Sequence, residues 1–269
     1  MVALVMDILS EIIASKRSRV EAAKGVLSLD ELRSQALEVR NNATEHALRA
    51  ALKSGDAINI IAEFKRRSPS KGMIRENAEA VAIARSYESA GAAAISVLTE
   101  EDYFAGSLND LRAVRETVSI PVLRKDFIFD EYQVYESAAA RADALLLIVA
   151  ALDDETLSRL LRLTEDLGMD ALVEVHNQDE IERAVVHEAK LIGVNNRDLR
   201  TFDVSTQTSV QLAQFAPGPV LVSESGLTPG EVRRLRAVGY RGFLVGESLM
   251  RAVDPEAELR AFRGEKQSR

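Results

Sequence analysis

Short apolar runs alternate with longer segments of helical periodicity from about residue 57 onward. Runs rich in aliphatic and β-branched residues occur at 58–64, 92–98, 121–127, 143–149, 170–175, 190–195, 219–225 and 242–248. Their mean spacing of about 26 residues fits a strand, a helix and the two connecting loops. Several runs are apolar throughout rather than alternating, as expected of parallel strands that are covered on both faces.

Helix start and stop signals lie between these runs. Asn77 is a predicted N-cap, and Thr228 with Glu231 forms a predicted capping box. Gly91 and Gly239 follow the corresponding helical segments, where a C-terminal glycine is expected. Eight strands, each followed by a helix, predict an α/β fold of the (β/α)8 TIM barrel type. An open doubly wound sheet remains the alternative on this pattern alone.

The first 50 residues follow a different pattern. Apolar residues near the start would share one face of a helix, with Asp7 as its predicted N-cap, and Ser28 with Glu31 forms a capping box before a second amphipathic stretch. We therefore expect residues 1–269 to form a single (β/α)8 barrel domain, of which 1–50 is a helical N-terminal extension. The periodicity favours an extension packed on the barrel over a mobile tail.

Composition narrows the classes of function. Hydrophobic residues make up 46% of the chain and charged residues 28%, which is typical of a globular protein. The net charge of -8 argues against a nucleic-acid partner, although a local basic cleft could still bind an anion. The chain has no cysteine, which excludes disulfides, thiolate metal ligands and a cysteine nucleophile.

Location and metal content are also predicted. No apolar stretch reaches about 18 residues, so no membrane association is expected. The first residues lack the features of a secretory signal, which predicts a cytoplasmic protein. The three histidines are not clustered, so no metal site is expected.

Charged residues end the first predicted strand. Glu63 and Lys65 are two residues apart and would share one face of the strand. The loop that follows contains Ser68 and is basic and glycine-containing, so it could fold over an anion. A simple surface ion pair is the alternative. Because unpaired buried charge is costly, such residues at several strand ends indicate one shared site at the barrel mouth.

Two further predicted strands end in charged residues. Lys125 could act as a general acid, hold a carboxylate or form a Schiff base, and the alternative is a salt bridge to Glu63 or Glu174 that only fills the mouth. Asp126 should face away from it, by strand alternation. Glu174 would stay ionised among lysines or donate a proton from an apolar pocket. His176 is predicted to be a supporting or surface residue rather than a catalyst.

The last three strands carry groups suited to anions. Asn195 and Arg197 would share a face, and arginine can bind a carboxylate through two hydrogen bonds, although a turn stabilised by asparagine is the alternative. Gly226 and Gly246 follow the seventh and eighth strands, where barrels often bind phosphate. Glu247 has the wrong charge for phosphate, so only its backbone N–H is expected to contribute. Elsewhere, an aromatic residue in the loop after the second strand could either stack on a substrate ring or pack in the loop.

These motifs resemble the indole-3-glycerol-phosphate synthase family over nearly the whole chain. The resemblance is carried by the strings IIAEFKRRSPSKG, SVLTEEDYFAGS, VLRKDFI, ALLLIVAAL, ALVEVHN, IGVNNRDL, VSESGL and FLVGESLM. It implies a (β/α)8 barrel enzyme of tryptophan biosynthesis, a decarboxylating carbon–carbon lyase. Its substrate would be 1-(2-carboxyphenylamino)-1-deoxyribulose 5-phosphate, closed to indole-3-glycerol phosphate with loss of carbon dioxide and water. No cofactor is implied, and the sequence is silent on protein partners.

The resemblance also implies a set of site residues. The catalytic residues would be Glu63, Lys65, Lys125, Glu174, Asn195 and Glu224. The substrate-binding residues would be Ser68, Phe104, Phe127, Arg197, Ser225, Gly226, Gly246 and Glu247. Lys125 is expected to polarise the ketone during ring closure and Lys65 to serve the later proton transfers, but the order of the two lysines stays open.

The same residues are also compatible with other functions. A Schiff-base aldolase would also place a strand-end lysine beside a phosphate site, and borohydride trapping would reveal it. An isomerase that relies on a cysteine base is disfavoured by the absence of cysteine. A non-catalytic phosphate-binding barrel would not need several strand-end charges converging with an amide and a guanidinium.

Overall fold

The computed structural model describes residues 8–55 and 57–265 of the chain. Eight parallel strands form a closed barrel in chain order, in which the last strand pairs with the first. They are β1 (Asn59–Phe64), β2 (Ala94–Leu98), β3 (Val122–Lys125), β4 (Ala144–Ile148), β5 (Asp170–Val175), β6 (Leu191–Asn195), β7 (Val220–Glu224) and β8 (Gly242–Val245). The barrel prediction is confirmed, and the open sheet is excluded.

Helices cover the outside of the barrel and precede it. They are α1 (Ile8–Val26), α2 (Leu29–Arg40), α3 (Ala47–Lys53), α4 (Ala80–Ser89), α5 (Leu108–Thr117), α6 (Glu131–Ala139), α7 (Asp154–Asp166), α8 (Gln178–Val186), α9 (Gln207–Leu212), α10 (Pro229–Ala237), α11 (Glu247–Arg251) and α12 (Pro255–Phe262). A small antiparallel hairpin, Arg67–Ser68 with Gly72–Met73, lies in the loop after β1. No helix in the described ranges is both long and apolar enough to cross a bilayer.

Local capping signals explain most helix starts. The side chain of Thr228 accepts a hydrogen bond from the backbone N–H of Glu231, with Pro229 in the first turn of α10. The prediction of Asn77 as an N-cap is wrong. The backbone is still extended at Glu79, so α4 begins at Ala80 without a side-chain cap.

Apolar side chains form two layers on either side of the strands. One set fills the barrel interior and the other packs beneath the helices, as alternation along parallel strands requires. Leu48 and Leu52 of α3 belong to the interior set and close the N-terminal end of the barrel. Asn59 fixes this floor by donating hydrogen bonds to the carbonyl oxygens of Leu52 and Arg241.

The N-terminal extension is helical and docked, as predicted. The capping box of Ser28 and Glu31 is formed in both directions at the start of α2. This helix packs on α6, and α1 places Ile12, which is 2% exposed, against the barrel. Asp7, the predicted cap of α1, lies outside the described residues.

Candidate active site

A cavity of about 620 Å³ opens at the C-terminal ends of the barrel strands. Its wall includes every residue that the sequence predicted for the site. Those residues are Glu63, Lys65, Ser68, Phe104, Lys125, Phe127, Glu174, Asn195, Arg197, Glu224, Ser225, Gly226, Gly246 and Glu247. The strand ends therefore bring the predicted residues together around one mouth.

Lys125 lies at the centre of this mouth, held by two carboxylates. Its ammonium nitrogen is 2.9 Å from Oε2 of Glu174 and 3.0 Å from Oε2 of Glu224. Burial opposes the charged form, but the fields of Glu174, Glu224 and Glu63 outweigh it and raise the pKa of Lys125. The side chain is therefore an ammonium ion at neutral pH, a form without the free electron pair that a nucleophile needs.

Glu63 and Lys65 form a second ion pair on the same face of β1. Lys65 Nζ lies 2.5 Å from Glu63 Oε1, as the alternation along the strand predicts. Gly246 stands directly behind this carboxylate, because a Cβ atom there would overlap Glu63 Oε1. The sequence explained Gly246 by access to phosphate, and the structure adds a second reason: only glycine leaves room for Glu63.

His176 turns back toward the site and contacts Glu174. Its Nε2 lies 3.3 Å from Glu174 Oε1, which is within ion-pair range but not aligned for a hydrogen bond. Its Nδ1 lies 3.0 Å from Glu180 Oε2. Burial lowers the pKa of His176, but the two carboxylates prevail and raise it to about 10. For Glu174 burial acts to raise the pKa. The positive charges of Lys125 and His176 outweigh burial and leave the pKa of Glu174 well below its usual range.

Glu224 has the opposite character from Glu174. Its Oε1 is buried and has no hydrogen-bond partner among the described residues, whereas Oε2 faces Lys125. Burial and the nearby charge of Glu174 raise the pKa of Glu224 to about 7, although Lys125 acts in the other direction. Gly193 leaves the space for this carboxylate, since a Cβ there would overlap Oε1. The pKa values of these two neighbouring glutamates are thus shifted in opposite directions.

The ends of β6 and β7 are tied together by Asn195. Its Oδ1 accepts hydrogen bonds from Ser225 Oγ at 2.9 Å and from the backbone N–H of Arg197 at 3.1 Å. The Arg197 guanidinium donates to the carbonyl oxygen of Phe202, and within the described residues no carboxylate lies in ion-pair range of it. Arg197 therefore keeps capacity to bind an acidic group in the cavity.

The aromatic rings of Phe104 and Phe127 form an apolar slot in the cavity wall. The ring centroids of Phe104 and Phe127 are 6.0 Å apart and inclined at 40°. The carboxylate of Glu100 shapes the loop that carries Phe104, because it accepts hydrogen bonds from the backbone N–H groups of Asp102, Tyr103 and Phe104. The two rings already contact each other, so a planar ring can pack against the pair from the cavity but not between them.

The loops after β7 and β8 form another part of the cavity wall. Ser225 and Gly226 both have positive φ, 68° and 69°, which turns their backbone sharply at the cavity wall. Glu247 is paired with Arg251 at 3.1 Å, and both line the cavity. The positive charge of Arg251 balances the negative charge of Glu247, which the sequence alone had indicated to be unsuited to a phosphate site.

Several wall residues were missed by the sequence. Ile8, Leu9 and Ile12 of α1 line the cavity, and their helical spacing was the available signal, although it did not show which surface they cover. Arg251, one helical turn after Glu247, could have been found from the i,i+4 spacing. No cluster of three or more metal-binding side chains occurs in the part of the chain that the structure describes.

Comparison with known proteins agrees with this geometry. The family model of indole-3-glycerol phosphate synthase matches residues 9–262. An indole-3-glycerol phosphate synthase of Carboxydothermus hydrogenoformans is 47% identical over 257 residues, covering 93% of this chain and 97% of the relative. One of Syntrophobacter fumaroxidans is 48% identical, covering 94% and 96%.

Solved structures share the fold at low sequence identity. A 3-hexulose-6-phosphate synthase has a TM-score of 0.64 and 14% identity, covering 77% of this chain and 99% of that one. This likeness shows the fold alone. The match of the family model and the identity of the relatives over nearly the full length show more, and the chain belongs to the indole-3-glycerol phosphate synthase family.

Proposed function

We propose that this mouth converts 1-(2-carboxyphenylamino)-1-deoxyribulose 5-phosphate to indole-3-glycerol phosphate, carbon dioxide and water. The chain is an indole-3-glycerol-phosphate synthase of tryptophan biosynthesis, a decarboxylating lyase, as its family indicates. The observation that carries the catalytic assignment is the Lys125 ammonium group held between Glu174 and Glu224 at the wall of the cavity. The residue roles below are part of the proposal.

The substrate would span the mouth. Its phosphate would bind to backbone N–H groups around Gly226 and Gly246, with Ser225 and the Glu247 backbone helping to position it. Its ring would pack against Phe104 and Phe127 in the slot. The guanidinium of Arg197 and a lysine ammonium group would hold the ring carboxylate, and Ser68 in the overhanging hairpin would help to position the substrate. The ketone then faces the centre of the mouth, where Lys125 lies.

Ring closure would use Lys125 as the acid. The ring carbon that bears the carboxylate attacks the ketone carbon, the carbon–oxygen double bond opens, and the oxygen takes a proton from the ammonium group. A high pKa does not prevent this transfer, because the forming alkoxide is itself a strong base. Glu174 and Glu224 hold the ammonium in place before the step, and the step leaves Lys125 as a neutral amine that must be reprotonated. Loss of carbon dioxide then returns the bonding electrons to the ring and restores its aromaticity.

Dehydration would use the pair on β1. Lys65 donates a proton to the departing hydroxyl, which leaves as water. A carboxylate of the same cluster, Glu63 or Glu174, accepts the proton lost from the carbon beside the nitrogen. Asn195 would hold the reacting hydroxyl through the nitrogen of its side-chain amide, because its Oδ1 already accepts a hydrogen bond from Ser225. Two protons are donated and one is recovered, which matches the proton consumed on decarboxylation.

The alternative of a Schiff-base aldolase is disfavoured by the charge of Lys125. A lysine nucleophile must be neutral, and the three surrounding glutamates raise the pKa of this amine rather than lower it. A merely binding barrel is disfavoured because a buried lysine among three carboxylates is a costly arrangement for ligand retention alone.

A direct assay tests the proposal. The purified chain should produce indole fluorescence from the carboxyphenylamino-deoxyribulose phosphate without any added cofactor. Tight binding of this substrate with no turnover would refute the catalytic proposal. We retain the remaining predictions from the sequence as part of the proposal. They are a cytoplasmic location, one domain over residues 1–269, and no requirement for nucleic acid, a membrane or a cofactor.

A further inference from the structure

A buried ion-pair network joins α1 to the barrel beside the cavity and reaches the cavity wall at Asp126. Lys16, in the middle of α1, is 4% exposed, and its ammonium nitrogen lies 2.9 Å from Glu101 Oε2 and 2.9 Å from Asp126 Oδ2. Asp126 also accepts hydrogen bonds from Thr99 Oγ1 at 2.6 Å and from Arg124 at 3.0 Å. The site described above uses none of these groups.

Each carboxylate that Lys16 contacts belongs to one wall of the aromatic slot. Asp126 immediately precedes Phe127, and its Oδ1 accepts a hydrogen bond from the Phe127 backbone N–H at 2.8 Å. Glu101 lies in the short loop that carries Phe104. The two carboxylates are thus bound to one cation, and the centroids of the two rings lie 6.0 Å apart.

A buried lysine that bridges two carboxylates is well suited to fix a distance. Losing one partner would leave charge poorly compensated in a protein interior, so the three groups should stay together. Other contacts hold the same helix against the same loop, since Ser15 donates to Asp102 at 2.7 Å and Arg19 pairs with Asp102 at 2.5 Å. Those contacts do not reach Asp126. Thr99, at the start of the loop that carries Phe104, also donates to Asp126, and Lys16 adds a charged link between the two walls through Glu101.

We propose that Lys16 is a positioning residue for the reaction, which sets the separation of Phe104 and Phe127 without touching the substrate. This inference rests on the proposed packing of the substrate ring against these two residues. It assigns to α1 a role in ring recognition, beyond covering the mouth with apolar side chains.

The test compares Lys16→Met with a matched control on the same helix. Lys24 pairs with Asp130 at 2.8 Å and with Glu21 at 3.0 Å, so Lys24→Met also removes an ion pair between α1 and the barrel but leaves the slot alone. Lys16→Met should raise KM for the carboxyphenylamino-deoxyribulose phosphate about tenfold, with a smaller change in kcat. Lys24→Met should leave KM unchanged.

Inorganic phosphate provides a second readout. As a competitive inhibitor it would occupy the loops after β7 and β8, across the barrel from β3, so its inhibition constant should be the same in wild type and Lys16→Met. Lys16→Arg, which can bridge both carboxylates, should recover most of the affinity. If Lys16→Met does not fold, Glu101→Gln breaks one half of the bridge at a partly exposed carboxylate and should raise KM in the same direction.

A Phe127→Leu variant separates failure of this inference from failure of the proposed function. If Phe127→Leu raises KM but Lys16→Met and Glu101→Gln do not, the positioning role is wrong and the slot stands. If Phe127→Leu leaves KM unchanged, the slot assignment fails and the inference falls with it. Equal losses of affinity for substrate and for phosphate in Lys16→Met would show a general structural role and would also overturn it.

Discussion

Lys125 and Glu174 come from strands that do not pair with each other, yet Lys125 Nζ lies 2.9 Å from Glu174 Oε2. The contact crosses the mouth of the barrel above β4. Because both side chains are almost enclosed, their charges are screened little by solvent. The pair keeps Lys125 protonated and Glu174 ionised.

Lys125→Met should lower kcat by about 10²–10⁴-fold, the usual effect of losing a positioned general acid. Methionine has a similar apolar length but no proton to donate, so most of the substrate affinity should remain. Steady-state kinetics checks the prediction, with thermal melting at pH 6 to verify that the variant is folded.

The same variant distinguishes other roles of Lys125. A lysine that formed a Schiff base would be trapped irreversibly by borohydride and substrate in wild type and not in the methionine variant. A lysine that served only as an ion-pair partner would, when replaced, lower the melting temperature and leave turnover largely intact. Near-wild-type kcat would remove Lys125 from the mechanism and leave Lys65 as the principal acid.

Glu224→Gln should remove a titration from the rate profile. The pKa values of Lys125 and Glu174 are displaced from neutrality in opposite directions, whereas that of Glu224 is raised to about 7. If ionised Glu224 is needed to hold Lys125, wild-type kcat should fall as the pH drops through about 7. The glutamine variant should be slower and lack this limb between pH 6 and 8. A limb at the same pH in the variant would exclude Glu224 as its source.

His176→Asn should change stability in a pH-dependent way. The pKa of His176 rises from 6.5 to about 10 on folding, as Glu174 and Glu180 overcome the effect of burial. A raised pKa means that the folded state binds the proton more tightly, so the stabilisation is complete below pH 6.5 and is lost as the pH rises to about 10. The difference in melting temperature between wild type and variant should therefore be largest at pH 6 and smallest at pH 10. A constant difference would exclude the imidazolium as its cause.

The barrel and its mouth could be predicted from local sequence because their causes are local. A run such as 170–175 reads as a buried strand, and strand alternation places Glu63 and Lys65 on one face. Parallel strands in a barrel share one C-terminal end, so charges at that end must meet. The same reasoning correctly turned Asp126 away from Lys125.

Contacts between distant segments could not be predicted in this way. Nothing in the spacing of α1 shows that Lys16 reaches Asp126, because that contact depends on how the helix lies on the assembled barrel. The presence of glycine at position 246 could be explained from the sequence in more than one way. Its neighbour Glu63 lies far away in sequence, so the steric reason became visible only in the structure.

Gly246→Ala should lower kcat more than it weakens phosphate binding. The added Cβ would displace the Glu63 carboxylate and thereby disturb its 2.5 Å pair with Lys65. If phosphate access were the only reason for the glycine, KM and the inhibition constant of inorganic phosphate would rise together while kcat stayed near wild type. Kinetics with phosphate inhibition separates the two, and normal kcat would contradict the steric explanation.

Removing the N-terminal helices should have different effects according to where the chain is cut. Deletion of residues 1–27 removes α1 and leaves Ser28 to cap α2. The apolar wall formed by Ile8, Leu9 and Ile12 is then lost, so the truncated protein should fold and show a higher KM for the substrate. Circular dichroism, melting and steady-state kinetics measure these effects. Wild-type KM after this deletion would show that α1 does not contribute to the site.

Deletion of residues 1–50 should be far more damaging, since it also removes Leu48. That side chain is fully buried in the barrel interior with Ile61 and Leu123, at the end that α3 closes. Loss of a large buried apolar side chain typically costs about 2–5 kcal/mol through the cavity it leaves, and here the break in α3 would also expose the floor to water. The longer deletion should therefore lower the melting temperature much more than the shorter one. Equal melting temperatures for the two truncated proteins would show that the floor of the barrel is stable without α3.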